Sequence, residues 1–158
     1  MIKITLTLML GAVVSSAWFM PSMSFGYGDE DSTNVDKNYV RYDKESVVVG
    51  TTTDKMYYDS TPTKKMNFYA AWDYCQNLEF DKHNDWRVPT KNELRSLLEL
   101  SRREVTVKHA FKNILQERYW TSTEDKFEQA WYVDFDLGRY STQKYRKKYR
   151  VICVRNSK

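Results

Sequence analysis

The chain has 158 residues, 41% of them hydrophobic and 29% charged, a composition that supports one folded domain and excludes an intrinsically disordered chain. Aromatic residues reach 15% while Gly and Pro number only 5 and 3, which excludes collagen-like and low-complexity classes. The formal net charge is +4, and Cys75, His83, His109 and Cys153 are too few and too widely spaced for a zinc finger.

Residues 1–24 read as an export signal. Lys3 is their only charge, Ile4 to Met20 form a largely apolar run, and Pro21 breaks it. Ser22 and Ser24 then supply the small residues of a cleavage site. The alternative is an uncleaved anchor, but the run falls just short of the roughly 20 residues that cross a bilayer. Cleavage after Ser24 leaves no stable membrane span and delivers the chain to an oxidising compartment: periplasm, cell surface or medium. Residues 25–38, rich in Gly, Asp, Ser and Asn, read as a flexible leader, and residues 39–158 as the folded domain.

Short strands are predicted at Tyr39–Tyr42, Ser46–Val49 and Thr53–Tyr58, separated by turn chemistry at Asp43-Lys44 and at Gly50. Thr61-Pro62-Thr63 is a loop. A first helix follows: Asn67 is its N-cap, and Phe68, Ala71, Trp72, Cys75 and Leu78 share one face. That stripe assigns Trp72 to packing over ligand stacking. Asp85-Trp86-Arg87-Val88-Pro89 is a rigid loop, and Thr90-Lys91-Asn92-Glu93 is a capping box opening a second helix. Leu94, Leu97, Leu98 and Ser101 continue it at helical spacing, and Arg102, Arg103 and Glu104 end it. In the loop before it, Trp86 is read as packing underneath and Arg87 as holding a neighbouring carboxylate or carbonyl, in preference to sugar stacking and anion binding.

From Tyr119 the pattern turns to period two. Tyr119–Thr123 is one strand, and in Ala130–Asp136 the residues Trp131, Val133 and Phe135 alternate with Tyr132, Asp134 and Asp136, as on a half-buried strand. Leu137-Gly138 turns the chain into Arg139–Thr142, and Val151–Arg155 is the last strand. Cys75 and Cys153 are the only cysteines. In an exported chain they predict one structural disulfide, against two separate buried thiols or a reactive pair. No CxxC is present.

The ordered set is distinctive: a capped helix with Cys75, Asp85-Trp86-Arg87-Val88-Pro89-Thr90-x-x-Glu93-Leu94, Tyr119-Trp120-Thr121-Ser122-Thr123, Ala130-Trp131-x-Val133-x-Phe135, Gly138, and Cys153-Val154-Arg155. Over about residues 47–156 it resembles the Lcl C-terminal domain family, which takes its name from a collagen-like adhesin. The resemblance implies an α+β, C-type-lectin-like fold related to the formylglycine-generating enzymes. In it two helices pack on short antiparallel sheets, and one disulfide joins the first helix to the final strand. Trp72, Asp85, Trp86, Arg87, Thr90, Glu93, Trp120 and Trp131 then belong to the structural motif. Family members are exported bacterial domains of adhesins and surface proteins.

Chemistry finds little footing. Neither histidine stands in a nucleophile motif, Ser122 lacks a Gly-x-Ser-x-Gly elbow, and bridged cysteines leave no thiolate. Asp134 and Asp136 offer oxygen ligands for calcium, but carboxylates two apart also arise on any solvated strand. No enzyme, cofactor or metal is assigned. Charge is more informative: Arg139–Lys158 holds eight of the 25 basic residues and none of the 21 acidic ones, so the rest carries 17 cations against 21 acids. Tyr140, Lys144, Tyr145, Arg146, Lys147, Lys148, Tyr149 and Arg150 are the candidate ligand-binding residues, because Lys and Arg pair with anions while Tyr offers stacking surface. In an extended strand Arg146, Lys148 and Arg150 face one side, about 6–7 Å apart, and Tyr145, Lys147 and Tyr149 the other. The expected partner is a polyanionic glycan or envelope component. The alternatives are an envelope-machine subunit that binds protein and, third, a catalyst on the formylglycine-enzyme scaffold.

Overall fold

The computed structural model describes residues 38–99 and 107–158. The export signal (1–24), nearly all of the leader (25–38), Ser101 and the helix end at Arg102-Arg103-Glu104 lie outside the described residues. The elements in chain order are β1 (Tyr39–Tyr42), β2 (Val47–Gly50), β3 (Lys55–Tyr58), α1 (Phe68–Gln76), α2 (Lys91–Arg95), β4 (Arg118–Asp125), β5 (Gln129–Asp134), β6 (Arg139–Lys144) and β7 (Cys153–Asn156). They form an α+β domain with a four-stranded antiparallel sheet, β1-β2-β3-β7, and a three-stranded one, β4-β5-β6.

Register explains why there are two cores. In the first sheet Tyr39, Val48, Tyr57 and Val154 share one face, while Val47, Tyr58 and Cys153 share the other. The first face packs with Leu94, Leu97, Phe111, Tyr119, Val133 and Phe135. The second packs with Phe68, Ala71, Cys75, Trp86, Trp120, Tyr132 and Tyr149. The β4-β5-β6 sheet therefore has apolar neighbours on both sides. This corrects the half-buried reading of β5: Tyr132 and Asp134 are buried as well as Val133 and Phe135, and the strand ends at Asp134. The first turn falls where expected, whereas Gly50 closes β2 and the second turn is made by residues 51–54, so Thr53 belongs to the turn and not to β3. Asp43–Glu45 is a 3-10 turn, and a Cβ on Gly50 would collide with the Thr53 hydroxyl.

α1 starts where its cap requires, with the Asn67 side chain accepting from Ala70 N–H at 2.9 Å. Its buried stripe is Phe68, Ala71 and Cys75; Trp72 is half-buried, edge-on to Phe68 at 6.2 Å. Cys75 is bonded to Cys153, 78 residues away, at the start of β7. One disulfide thus ties α1 to the four-stranded sheet.

α2 is shorter than its leucine spacing predicts. After Arg95 the backbone tightens, with Leu97 N–H donating to Leu94 O and Leu98 N–H to Arg95 O. Leu98 then forms a bridge with Val107, and Lys108 N–H donates to Leu97 O at 2.8 Å. Tertiary pairing ends the helix as soon as Leu94 and Leu97 are buried. The start is fixed by the capping box: Thr90 Oγ1 accepts from Glu93 N–H, and Thr90 N–H donates to Glu93 Oε2 at 2.8 Å. Thr90→Ala should lower stability by about 0.5–2 kcal/mol, read as a shift of the urea midpoint at unchanged slope. A midpoint equal to wild type would mean that this hydroxyl does not hold the helix start.

Two further contacts position the loops. Buried Asp59 accepts from the N–H groups of Lys112 (2.9 Å) and Asn113 (3.2 Å) and pairs with Arg41, fastening the 107–114 segment to the first sheet. In β4 the register slips between Trp120 and Glu124, so Thr121-Ser122-Thr123 bulges toward the α2 loop. There Ser122 N–H donates to Pro89 O at 2.7 Å, and Lys91 N–H donates to Thr123 Oγ1 at 2.9 Å. The Tyr-Trp-Thr-Ser-Thr motif is a docking strip for the capped helix.

Candidate functional site

The basic segment does not run as one strand. β6 ends at Lys144, and Lys147 N–H donates back to Lys144 O at 3.0 Å, turning the chain. Tyr149 then enters the core at 8% exposure, its ring 4.7 Å from Trp120 and 4.9 Å from Tyr132, while its backbone pairs with Met66. The expected two-sided array of residues 145–150 is corrected accordingly. Burying a large aromatic among Trp120 and Tyr132 outweighs regular strand alternation. Arg150 is also committed: its Nε lies 3.0 Å from Glu117 Oε2, and its guanidinium donates to Thr63 O. That pair, followed by Lys65, holds the Glu117 carboxyl below its usual range.

Three of the predicted residues meet at one place. Lys144, Tyr145 and Arg146 line an open groove of about 450 Å³ with Asn67, Tyr69 and Glu128. Tyr145 stacks on Phe68 at 4.6 Å, with 13° between the rings, and meets Tyr69 edge-on at 5.4 Å. Its hydroxyl donates to Glu124 Oε2 at 2.7 Å, and that acceptor pushes the phenol up to about 12. The Tyr145 ring is therefore fixed and neutral. Lys144 Nζ donates to Phe127 O at 2.6 Å, which fixes the ammonium against the hairpin backbone. Arg146 and Lys147 are exposed.

The remaining predicted residues lie elsewhere. Lys148 borders a second groove of about 230 Å³ with Lys65, Glu117, Arg118, Asp134 and Asp136, where the charges are mixed. Asp134 in that groove is buried, lies 3.0 Å from Arg118 Nε, and accepts from Asp136 N–H and Leu137 N–H. Its oxygens serve the β5–β6 turn, so Asp134 and Asp136 are not a pair on one solvated strand face. Among the described residues no cluster of His, Cys, Asp or Glu could hold a metal ion. Tyr140 is 41% exposed and sits against Trp131 at 6.0 Å on β5.

The structural-motif residues take packing or pairing positions. Trp86 is buried and edge-on to Tyr58 at 5.8 Å, and Trp120 Nε1 donates to Met66 O at 3.0 Å. Arg87 grips Glu93 with both terminal nitrogens, at 2.8 and 2.7 Å, and Arg155 Nε donates to Asp85 at 2.7 Å.

Sequence reasoning missed Tyr69, Glu128 and the exposed Phe127. Tyr69 carried a signal: it sits next to Phe68 but off the Phe68-Ala71-Cys75 stripe, which turns a 62%-exposed ring to solvent. Phe127, 78% exposed, is at the β4–β5 hairpin tip with φ 61°, where a bulky residue has no local reason to be.

The Lcl C-terminal domain matches residues 39–155, and the chain belongs to this family. No curated protein matches the chain. Its disulfide is consistent with an extracytoplasmic domain, and no helix among the described residues is long and apolar enough to cross a membrane.

Proposed function

We propose that this chain is an exported, non-enzymatic binding module that takes a polyanionic or carbohydrate ligand of the cell surface in the Tyr69–Tyr145 groove, an adhesion-type role. The observation that carries this reading is the placement of Lys144 and Arg146 beside two tyrosine rings in one open groove. A sulfate, phosphate or carboxylate is paired by the two cations while a sugar or other flat group lies against the rings. Because Tyr145 is held by Phe68 and Glu124, little side-chain freedom is lost when a ligand arrives.

Heparin is the probe that tests this. Lys144→Ala/Arg146→Ala should elute from immobilised heparin at clearly lower salt than wild type, with circular dichroism unchanged. Retention of wild type should itself collapse as salt rises, since the Debye length shrinks from about 10 Å at 0.1 M to about 3 Å at 1 M. Co-elution of the two proteins would overturn the groove as a polyanion site. The reading then favoured is an envelope subunit that binds protein, for which the exposed Phe127 at a hairpin tip is the supporting feature.

A further inference from the structure

The outer edges of β4 and β7 are closed. Along β4, Trp120 N–H donates to Arg150 O and Ser122 N–H to Pro89 O, and on β7 Val154 exchanges both main-chain hydrogen bonds with Arg87. β6 ends the three-stranded sheet without such cover. Tyr145 N–H donates to Glu128 O at 3.1 Å, which sets the alternation of the β5–β6 ladder. The hydrogen-bonded pairs are Ala130 with Gln143, Tyr132 with Ser141 and Asp134 with Arg139. Tyr140 and Thr142 therefore turn their N–H and C=O groups away from β5. Trp131, opposite Thr142, fits this alternation: its carbonyl turns toward β4 and accepts from Thr121 Oγ1 at 2.9 Å. Lys144 has the same phase, but its N–H donates to Gln143 Oε1 and its C=O accepts from Lys147 N–H. Among the described residues no hydrogen bond reaches the main-chain groups of Tyr140 and Thr142.

An open edge pairs with whatever strand its side chains admit, and here the selecting charges are positive. The Arg95 guanidinium lies 5.2 Å over the Tyr140 ring, and Lys91 Nζ lies 4.0 Å over the Trp131 ring one strand further in. Neither cation forms an ion pair among the described residues. Arg139, on the other face, has a side chain 61% exposed and only a 4.0 Å approach to Asp134. Asp125 and Glu128 lie at the far, Lys144 end of the ladder. A second copy fits poorly. Two β6 strands paired antiparallel around Thr142 set Lys144 of each copy against Tyr140 of the other, where Arg95 already lies.

We infer that β6 receives an extended acidic segment of a partner protein as an added antiparallel strand. Its residues opposite Tyr140 and Thr142 exchange main-chain hydrogen bonds with them and place their side chains on the Arg95 face. A carboxylate beside Tyr140 then pairs with Arg95, which the ring already holds in place. This surface does not use the Tyr69–Tyr145 groove and stands independently of the polyanion reading.

The test uses the full chain and a short capped peptide alternating glutamate and valine, titrated by calorimetry. N-methylation at the glutamates, whose N–H groups face β6, should weaken binding about tenfold or more. N-methylation at the valines, on the solvent edge, should leave affinity unchanged. Thr142→Pro removes an outward donor that β5 does not use, and should weaken the unmethylated peptide comparably with circular dichroism unchanged. Arg95→Gln leaves every main-chain group in place and should weaken it about threefold, which covers a proline variant that folds poorly. Equal binding of the glutamate-methylated and unmethylated peptides would overturn strand addition and leave attraction between charges alone. So would wild-type affinity in both variants, or no binding of the unmethylated peptide. Dimerisation of wild type that Thr142→Pro abolishes would assign the edge to a second copy and overturn the partner segment.

Discussion

Cys75→Ser/Cys153→Ser is expected to cost the domain about 2–5 kcal/mol, a drop in Tm of roughly 10–20 °C. The bond closes a loop of 78 residues, so it removes much of the conformational freedom of the unfolded chain. Both cysteines are at most 1% exposed and sit in the core beside Phe68, Trp86 and Trp120. The serine hydroxyls would enter that core where no sulfur bond replaces water, adding a desolvation cost. The measurement is urea unfolding of the oxidised protein against the double variant, with mass analysis for one crosslinked Cys75–Cys153 peptide. Two alkylatable thiols in wild type isolated without reductant, or equal midpoints, would contradict it.

Glu93→Gln should produce the next largest loss, about 3 kcal/mol at neutral pH, and the loss should vanish in acid. Glu93 is 16% exposed, and burial acts to raise its carboxyl. The paired Arg87 guanidinium, the Thr90 N–H and the Thr90 hydroxyl outweigh burial and bring it down to about 2 from an ordinary 4.5. A folded-state value below the unfolded one means that the unfolded chain binds the proton more readily. The stabilisation is therefore complete above about 4.5 and is lost as pH falls through about 2. That difference converts to about 3 kcal/mol. Unfolding of wild type and Glu93→Gln should thus differ strongly at pH 7 and converge near pH 2. A gap independent of pH would show that the charge of Glu93 is not what holds the Arg87 loop to α2.

The same carboxylate explains why part of the fold was readable in one dimension. Thr90-x-x-Glu93 after Pro89 is a short-range instruction, and the cap forms where that spacing places it. Asn67 before the Phe68-Ala71-Cys75 stripe acts the same way, and Leu137-Gly138 makes its turn with Gly138 at φ 63°. The candidate site was readable only in part. Lys144, Tyr145 and Arg146 were found through charge, but their partner Tyr69 comes from α1 and the hairpin tip from the β4–β5 connection.

Sequence alone determined the elements whose causes act within a few residues, together with the family and the pairing of the only two cysteines. Caps, turns and apolar periodicity are local, because each is satisfied by neighbours within about one helical turn or one strand pair. Tertiary structure decided which cations face solvent. Arg150 is spent on Glu117, Tyr149 is drawn between Trp120 and Tyr132, and α2 stops early because Leu98 finds Val107. It also set Lys91 and Arg95 over Trp131 and Tyr140, some forty residues further along the chain. Burial and ion pairing reward contacts between distant segments, and their strength depends on what the fold brings alongside.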